Sequence, residues 1–401
     1  MDLDFIKKLV IPAETKIVMI ILDGLGGLPL ELGGRTELES ARTPNMDMLT
    51  AKASLGLTIP AGPGITVGSG PGHLAIFGYD PIHYEIGRGA LEAFGVDFEM
   101  EPGDIAARGN FCTVNADGMI TDRRAGRLPT ESSFELAALL RTIRVDDFRF
   151  FIEPVKEHRF AFIMRGPGLG DALTDTDPLI TGRPPIQVNA RNDESVKAAR
   201  VANDFIDQAG RILRDQQPAN MILLRGFSGL PDIPQFGDLY DLHPAAIAIN
   251  GMYRGVARLT GMTVLEVGGK SIRDVFGTLE KQWGGYDFFY LHIKQTDTCG
   301  ENGDFSGKVQ AIEEVDSFVP QVMAMNPDVV IIGGDHSSPA VMRSHSWHPV
   351  PLLIYSKFTR SDGFQKFGES ACRGGSLGVL PAKDVMQIAL ANAGRLAKYG
   401  A

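Results

Sequence analysis

The 401 residues hold three cysteines, Cys112, Cys299 and Cys372, far apart and without a CxxC pair. Such poverty excludes a disulfide scaffold and a zinc ribbon, and it predicts a reduced, cytoplasmic protein. Long apolar runs are also missing. None approaches the roughly 18 residues needed to cross a bilayer, so no membrane partner is expected. The amino terminus, MDLDFIKKLVIPAE, begins with acids and lacks an extended apolar core, which excludes a signal peptide. Excess positive charge is absent: the net charge of −10 argues against nucleic acid as the main partner, while leaving room for a local basic pocket that takes a small anion. Repeats and low-complexity tracts are absent too. Two nucleotide motifs fail. No lysine follows the glycines of Ala61–Gly72 where a P-loop needs one, and Pro29 occupies the last glycine position of a dinucleotide fingerprint.

Hydrophobic residues make up 44% and charged residues 22%, enough core for two or three folded domains. The organising stretch is Asp328–Pro339, DVVIIGGDHSSP. Val329–Ile332 reads as a buried parallel strand, broken by two glycines and followed at once by Asp335-His336. A carboxylate beside an imidazole suits a divalent metal. The pattern recurs. Ile17–Leu22 ends in Asp23, and Phe288–Ile293 is followed by Asp297. Val350–Ile354 is a fourth apolar run, preceded by His345 and His348. If the first three strands share one parallel sheet, their carboxylates converge, and the cluster repels itself unless cations fill it.

Further elements follow from spacing. Pro44–Lys52 reads as a helix capped by Thr43. Ser69 lies in a glycine-dense segment, with a helix opening at His73–Phe77, where backbone N–H groups favour an anion. Arginines concentrate between about Tyr79 and Phe236, with Arg108, Arg159 and Arg165 besides the Thr121–Arg127 run TDRRAGR. Arginine forks bind phosphate and carboxylate bidentately, so this inserted segment is expected to take an anionic small molecule. Ser195–Gln217, Ala245–Thr260, Ser271–Trp283, Gly307–Met325 and Lys383–Ala397 read as helices, and Thr263–Val267 as a strand.

A set of motifs carries a resemblance: IILDG, ARTPNMD, GPGITVGSGPGHLAIFGYDP, RGNF, DRRAGR, HRFAF, DTDP, HIKQTD, GGDHSSP and HSWHPVP. Together they resemble the archaeal-type cofactor-independent phosphoglycerate mutases, a branch of the alkaline phosphatase superfamily. The resemblance implies an α/β protein with an alkaline-phosphatase-like, mostly parallel sheet sandwiched by helices. It implies a metal-binding core domain, residues 1–80 and 238–401, and a smaller inserted α+β lid domain, residues 81–237. It implies interconversion of 3-phosphoglycerate and 2-phosphoglycerate through a phosphoserine on Ser69. A homoserine kinase-like phosphotransferase or a metal-dependent phosphatase is the alternative on the same scaffold.

Two divalent ions are implied, manganese or magnesium ahead of zinc or cobalt. Asp23, Ser69, Asp335 and His336 match the ligands of one, and Asp297 and His345 those of the other. Where the family carries a histidine ligand, this chain has Glu301. The glutamate replaces the imidazole and favours hard ions, or points away and leaves His348 or water to complete the shell, or marks a weakened site. The arginine-rich insert, with Arg108, Arg123, Arg124 and Arg127, is expected to grip the substrate's carboxylate and phosphate, and Asp122 to orient those arginines. Arg254 stands where the family often has lysine. His73 and His292 are expected to be structural, satisfied by backbone. A phosphorylated small molecule is the expected partner, and the oligomeric state stays open.

Overall fold

The computed structural model describes residues 3–400. They form two compact units, one of residues 3–85 with 233–400, the other Ile86–Asp232.

In the first unit, Ile17–Leu22, Phe288–Ile293 and Val329–Gly333 are strands buried at every position. Unbroken burial is what a central strand covered on both faces requires. They lie inside an eight-stranded sheet in the order Gly378–Pro381, Ser54–Ile59, Val350–Ser356, Val329–Gly333, Ile17–Leu22, Phe288–Ile293, Pro244–Ile247, Thr263–Val264. Val350–Ser356 runs antiparallel to both of its neighbours, and the other pairings are parallel. The sheet is therefore mixed and mostly parallel, in an α/β unit.

Register decides which residues meet. Leu22 lies opposite Ile293, and Ile21 opposite Gly333. Asp23, Lys294 and Asp335 thus leave the sheet at the carboxyl ends of three adjacent parallel strands, the edge where open α/β sheets place ligands. Alternation sorts the remaining side chains. Val18, Ile20, Leu22, Phe289, Leu291, Val330 and Ile332 pack with Phe276 and Ile312 in one core. Tyr290 and His292 face the other way, towards His73, at ring distances of 5.6 and 5.3 Å.

Three local expectations are corrected. Ala245–Thr260 is not one helix: Pro244–Ile247 is a strand and Gly251–Leu259 a helix. Alanines favour helix in isolation, but here they are buried in parallel pairing with Phe288–Leu291, and burial overrides propensity. Thr43 caps no backbone N–H; its hydroxyl donates to Asp47 Oδ1 at 3.2 Å, and Pro44 opens the helix Pro44–Thr50 instead. The last helix spans only Val385–Asn392. Ser271 does cap its helix, Ile272–Gln282, through a reciprocal box with Asp274.

The second unit has a five-stranded antiparallel sheet built on Ile105–Val114, which pairs with Ile120–Asp122, Arg159–Arg165 and Met221–Ser228. Its longest helix, Val196–Leu213, buries Ala198, Val201, Ala202, Phe205, Ala209 and Leu213 at helical spacing against Phe150 and Phe162.

One acid of the first unit titrates unusually. Glu369 accepts hydrogen bonds from Gly27 N (3.0 Å) and Thr36 Oγ1 (2.6 Å). Burial of the carboxyl nevertheless pushes its pKa from 4.5 up to about 7. The fold therefore prefers the protonated acid, and its stabilising effect, complete below 4.5, is lost as pH rises through 7. Glu369→Gln should gain thermal stability over the native chain at pH 8 and gain less at pH 5. An equal difference at both pH values would contradict this.

Candidate active site

Three carboxylates and two imidazoles converge at the strand ends. Asp23, Asp297, Asp335 and His336 are fully buried, and His345 is partly buried. Two overlapping groups result, Asp23–Asp335–His336 and Asp297–His336–His345, each with its ligand atoms within 4.8 Å of one another. His336 belongs to both. Its Nε2 lies 3.2 Å from Asp23 Oδ1 and 3.3 Å from Asp335 Oδ2.

Hydrogen bonds set the tautomer of His336. Ser338 Oγ donates its one proton to Asp297 Oδ1. At 3.2 Å, His336 Nδ1 must then donate to Ser338 Oγ. That leaves the Nε2 lone pair facing carboxylate oxygens, an arrangement that calls for a cation. Asp23 Oδ1 and Asp335 Oδ2 are likewise buried without a hydrogen-bond partner. Orphaned oxygens at such an edge fit hard divalent ions.

Ser69 opens the helix Ser69–Ile76, whose N-cap, Gly68, offers no side chain to satisfy the first N–H groups. Its Oγ sits 3.2 Å from His336 Nε2 and accepts from the Tyr253 hydroxyl at 3.3 Å. The helix lies hard against the Asp335 loop, since a Cβ at Gly72 would come within 2.6 Å of the Asp335 carbonyl. Gly24, with φ of +64°, makes the sharp turn after Asp23, and its N–H donates to Asp335 Oδ1 at 3.1 Å.

Glu301 lies one helical turn beyond Asp297 on Gln295–Asn302. Its Oε1 is 3.5 Å from His345 Nε2, and about half of its side chain is exposed. His345 Nδ1 donates to the Val67 carbonyl at 2.9 Å, which turns Nε2 towards Asp297 and Glu301. Burial lowers the pKa of His345, but the Asp297 and Val67 hydrogen bonds raise it further, to about 9. His348 is held by Ser346, with Nδ1 3.0 Å from its hydroxyl.

Several functional neighbours were not singled out by the sequence. Lys294 Nζ bridges Asp23 Oδ2 (3.1 Å), Asp297 Oδ2 (2.6 Å) and the Tyr253 hydroxyl (2.7 Å). It stands inside HIKQTD, one residue past the strand, which is the signal that could have found it. Tyr253 left none. His73 meets backbone as expected, whereas His292 meets a side chain, and both rings lie beside the site carboxylates. His292 Nε2 donates to Asp23 Oδ2 at 3.0 Å, and His73 Nδ1 lies 2.8 Å from the Ser69 carbonyl and 3.1 Å from Asp335 Oδ2. Burial depresses the His292 pKa to about 4, so this ring is neutral. Burial pushes the Asp23 pKa up, but the hydrogen bond from His292 and the Lys294 charge hold it well below the usual range.

In the second unit a cleft of about 470 Å³ is lined by Arg108, Arg123, Arg124, Arg127, Arg159, Arg225, Lys156 and His158. Arg123 is already engaged, its fork meeting Asp177 at 2.8 and 2.7 Å. Asp122 lies outside the lining and orients it, accepting from the backbone N–H groups of Arg124 (2.8 Å) and Gly126 (2.7 Å). Burial lowers the pKa of Arg108; Glu92 raises it, and the charges of Arg159, Arg88 and Arg225 lower it again. Among the described residues, Arg124 and Arg127 form no ion pair. Arg225 was a readable signal, a single arginine ending the apolar run MILL. Arg254 belongs to the first unit, buried, with Nη2 2.6 Å from Glu266 Oε1.

Fold and site together define an α/β protein with the donor set of a metal-dependent enzyme. A family model described as 2,3-bisphosphoglycerate-independent phosphoglycerate mutase matches residues 50–220. A Thermosipho africanus protein named probable 2,3-bisphosphoglycerate-independent phosphoglycerate mutase is 50% identical over 398 residues, covering 99% of this chain and 98% of its own. A Thermus thermophilus protein of the same name is 47% identical over 400 residues, covering 99% of this chain and 98% of its own. The solved cofactor-independent phosphoglycerate mutase of Thermoplasma acidophilum superimposes with a TM-score of 0.78 at 30% identity, covering 94% of this chain and all of that one. The chain belongs to the 2,3-bisphosphoglycerate-independent phosphoglycerate mutase family, a family of isomerases. No helix among the described residues is long and apolar enough to cross a membrane.

Proposed function

We propose that the protein interconverts 3-phosphoglycerate and 2-phosphoglycerate through a phosphoserine on Ser69. The observation that carries this is a serine hydroxyl at a helix N-terminus, 3.2 Å from an imidazole shared by two carboxylate groups whose buried oxygens lack partners. Asp23, Ser69, Asp335 and His336 would hold one divalent ion, and Asp297, Glu301 and His345 the other, with manganese or magnesium favoured by the oxygen-rich donors. Bound there, such ions supply the positive charge that lowers the serine pKa and offsets the phosphoryl oxygens.

The chain's own groups do the rest. The Tyr253 hydroxyl, donating to Ser69 Oγ, orients a serine lone pair, and Lys294 holds Tyr253 in place. Ser69 Oγ gives up its proton and forms a bond to phosphorus as the bond to the 3-oxygen of the substrate breaks, and that oxygen leaves as a hydroxyl, gaining one proton in exchange for the one the serine lost. The glycerate reorients. Its 2-oxygen loses a proton, takes the phosphoryl group and frees Ser69. The N–H groups at the start of Ser69–Ile76 face the phosphoryl charge. Arg108, Arg124, Arg127 and Arg225 bind the anionic substrate. The same cluster disfavours a homoserine kinase-like reading, because a substrate ammonium would be repelled there. The three unpaired cysteines suit a cytoplasmic enzyme.

Purified protein with manganese and 3-phosphoglycerate, coupled to enolase, should show isomerisation. Metal binding without isomerisation would defeat the proposal, and release of free phosphate would favour a phosphatase.

A further inference from the structure

Lys308 lies in the first turn of the helix Phe305–Ala324, and its side chain is wholly buried. Its ammonium has three protons and three carbonyl acceptors: Gly24 (2.8 Å), Gly26 (3.0 Å) and Ser338 (2.9 Å). Its counter-ion is Glu37, equally buried, with Oε1 3.9 Å away. That carboxylate accepts from Ala340 N (2.7 Å) and Leu28 N (3.1 Å). The pair therefore ties one loop, residues 23–28, to another, residues 335–340.

These loops carry Asp23 and Asp335-His336, and Ser338 reaches both Asp297 and His336. Three converging carboxylates push such loops apart. Lys308 touches none of the three. It gathers the backbone behind them onto one compact charge, which suits a lysine's three tetrahedral donors and not the planar fork of arginine. An ion pair buried at this cost is justified where it enforces one arrangement. We propose that Lys308 is a positioning residue, an internal cation that holds both ligand-bearing loops in their metal-binding arrangement before any metal arrives. The inference rests on the metal-site reading above.

Manganese titration by calorimetry on the full chain tests it, with Lys308→Met and, as a control, Val319→Ala, a core truncation on the same helix. Lys308→Met should weaken manganese binding about 10- to 100-fold. Val319→Ala should lower the melting temperature and leave the affinity unchanged. Equal manganese affinity in Lys308→Met and the native chain would overturn the proposal. A second measurement needs no variant. In the metal-stripped native chain, the amides of residues 23–28 and 335–340 should exchange slowly with deuterium. Fast exchange that slows only on adding manganese would overturn the proposal even if Lys308→Met fails to fold. A native chain that binds no manganese would remove the metal-site reading itself, and this inference with it.

Discussion

Ser69→Ala should lose isomerase turnover by about 10⁴-fold or more, because no other hydroxyl can replace an attacking oxygen held at that point. The Tyr253 hydroxyl is the neighbour that donates to Ser69 Oγ, and burial pushes its pKa well above the ordinary value, with the Asp23 and Asp335 charges adding to the rise. It cannot supply a comparable nucleophile. Manganese affinity should change by less than about tenfold, since two carboxylates and His336 still face that ion in the variant. Rapid quenching of the native enzyme during turnover should reveal one added phosphoryl group, on the peptide containing Ser69, and none in the variant. Turnover that survives in Ser69→Ala would remove the serine from the chemistry.

Asp335→Asn should act through the other half of the site. Excess manganese stabilises a folded protein in proportion to its differential affinity, by about 2.7 kcal/mol at one hundred times the dissociation constant. The native chain should therefore melt higher with manganese than after chelation. Asp335→Asn should lose most of that rise, because Oδ2, buried and without a partner, becomes an amide or a carbonyl without charge. Turnover should fall by about 10³-fold or more. The metal-free variant should melt close to the metal-free native chain, since one of three mutually repelling carboxylates has gone while Oδ1 can still accept from Gly24 N. A manganese-dependent rise as large in the variant as in the native chain would show that Asp335 is not a ligand.

The strands that build the site were legible because each is a largely apolar run, with His292 the polar exception. Ile17–Leu22 and Phe288–Ile293 have the bounds read from composition alone, and Val329–Gly333 runs one residue further. The strands next to the edges were harder. Ser54–Ile59 alternates glycine, threonine and serine with apolar residues, and its strand character comes from pairing with Val350–Ile354. Pro244–Ile247 passed for helix because alanine is silent about pairing. In the site, acids and histidines announced themselves by chemistry. Tyr253 and Lys294 did not, since a tyrosine on a helix and a lysine after a strand are ordinary until folding brings them to one serine. Arg123 was legible as a cation, but its engagement by Asp177, 54 residues away, was not.

Chain order was sufficient for the ingredients: which runs are buried, which residues can ligate or attack, and which family the motifs resemble. These are properties of short stretches, where hydrophobic period and side-chain chemistry act locally. Partnership needed the folded molecule. Parallel register placed Asp23, Lys294 and Asp335 at one edge, and the hydrogen bond that Ser338 donates to Asp297 turned the His336 lone pair inward. Such contacts join residues up to 312 positions apart, and their energies depend on distances and angles that no local pattern encodes.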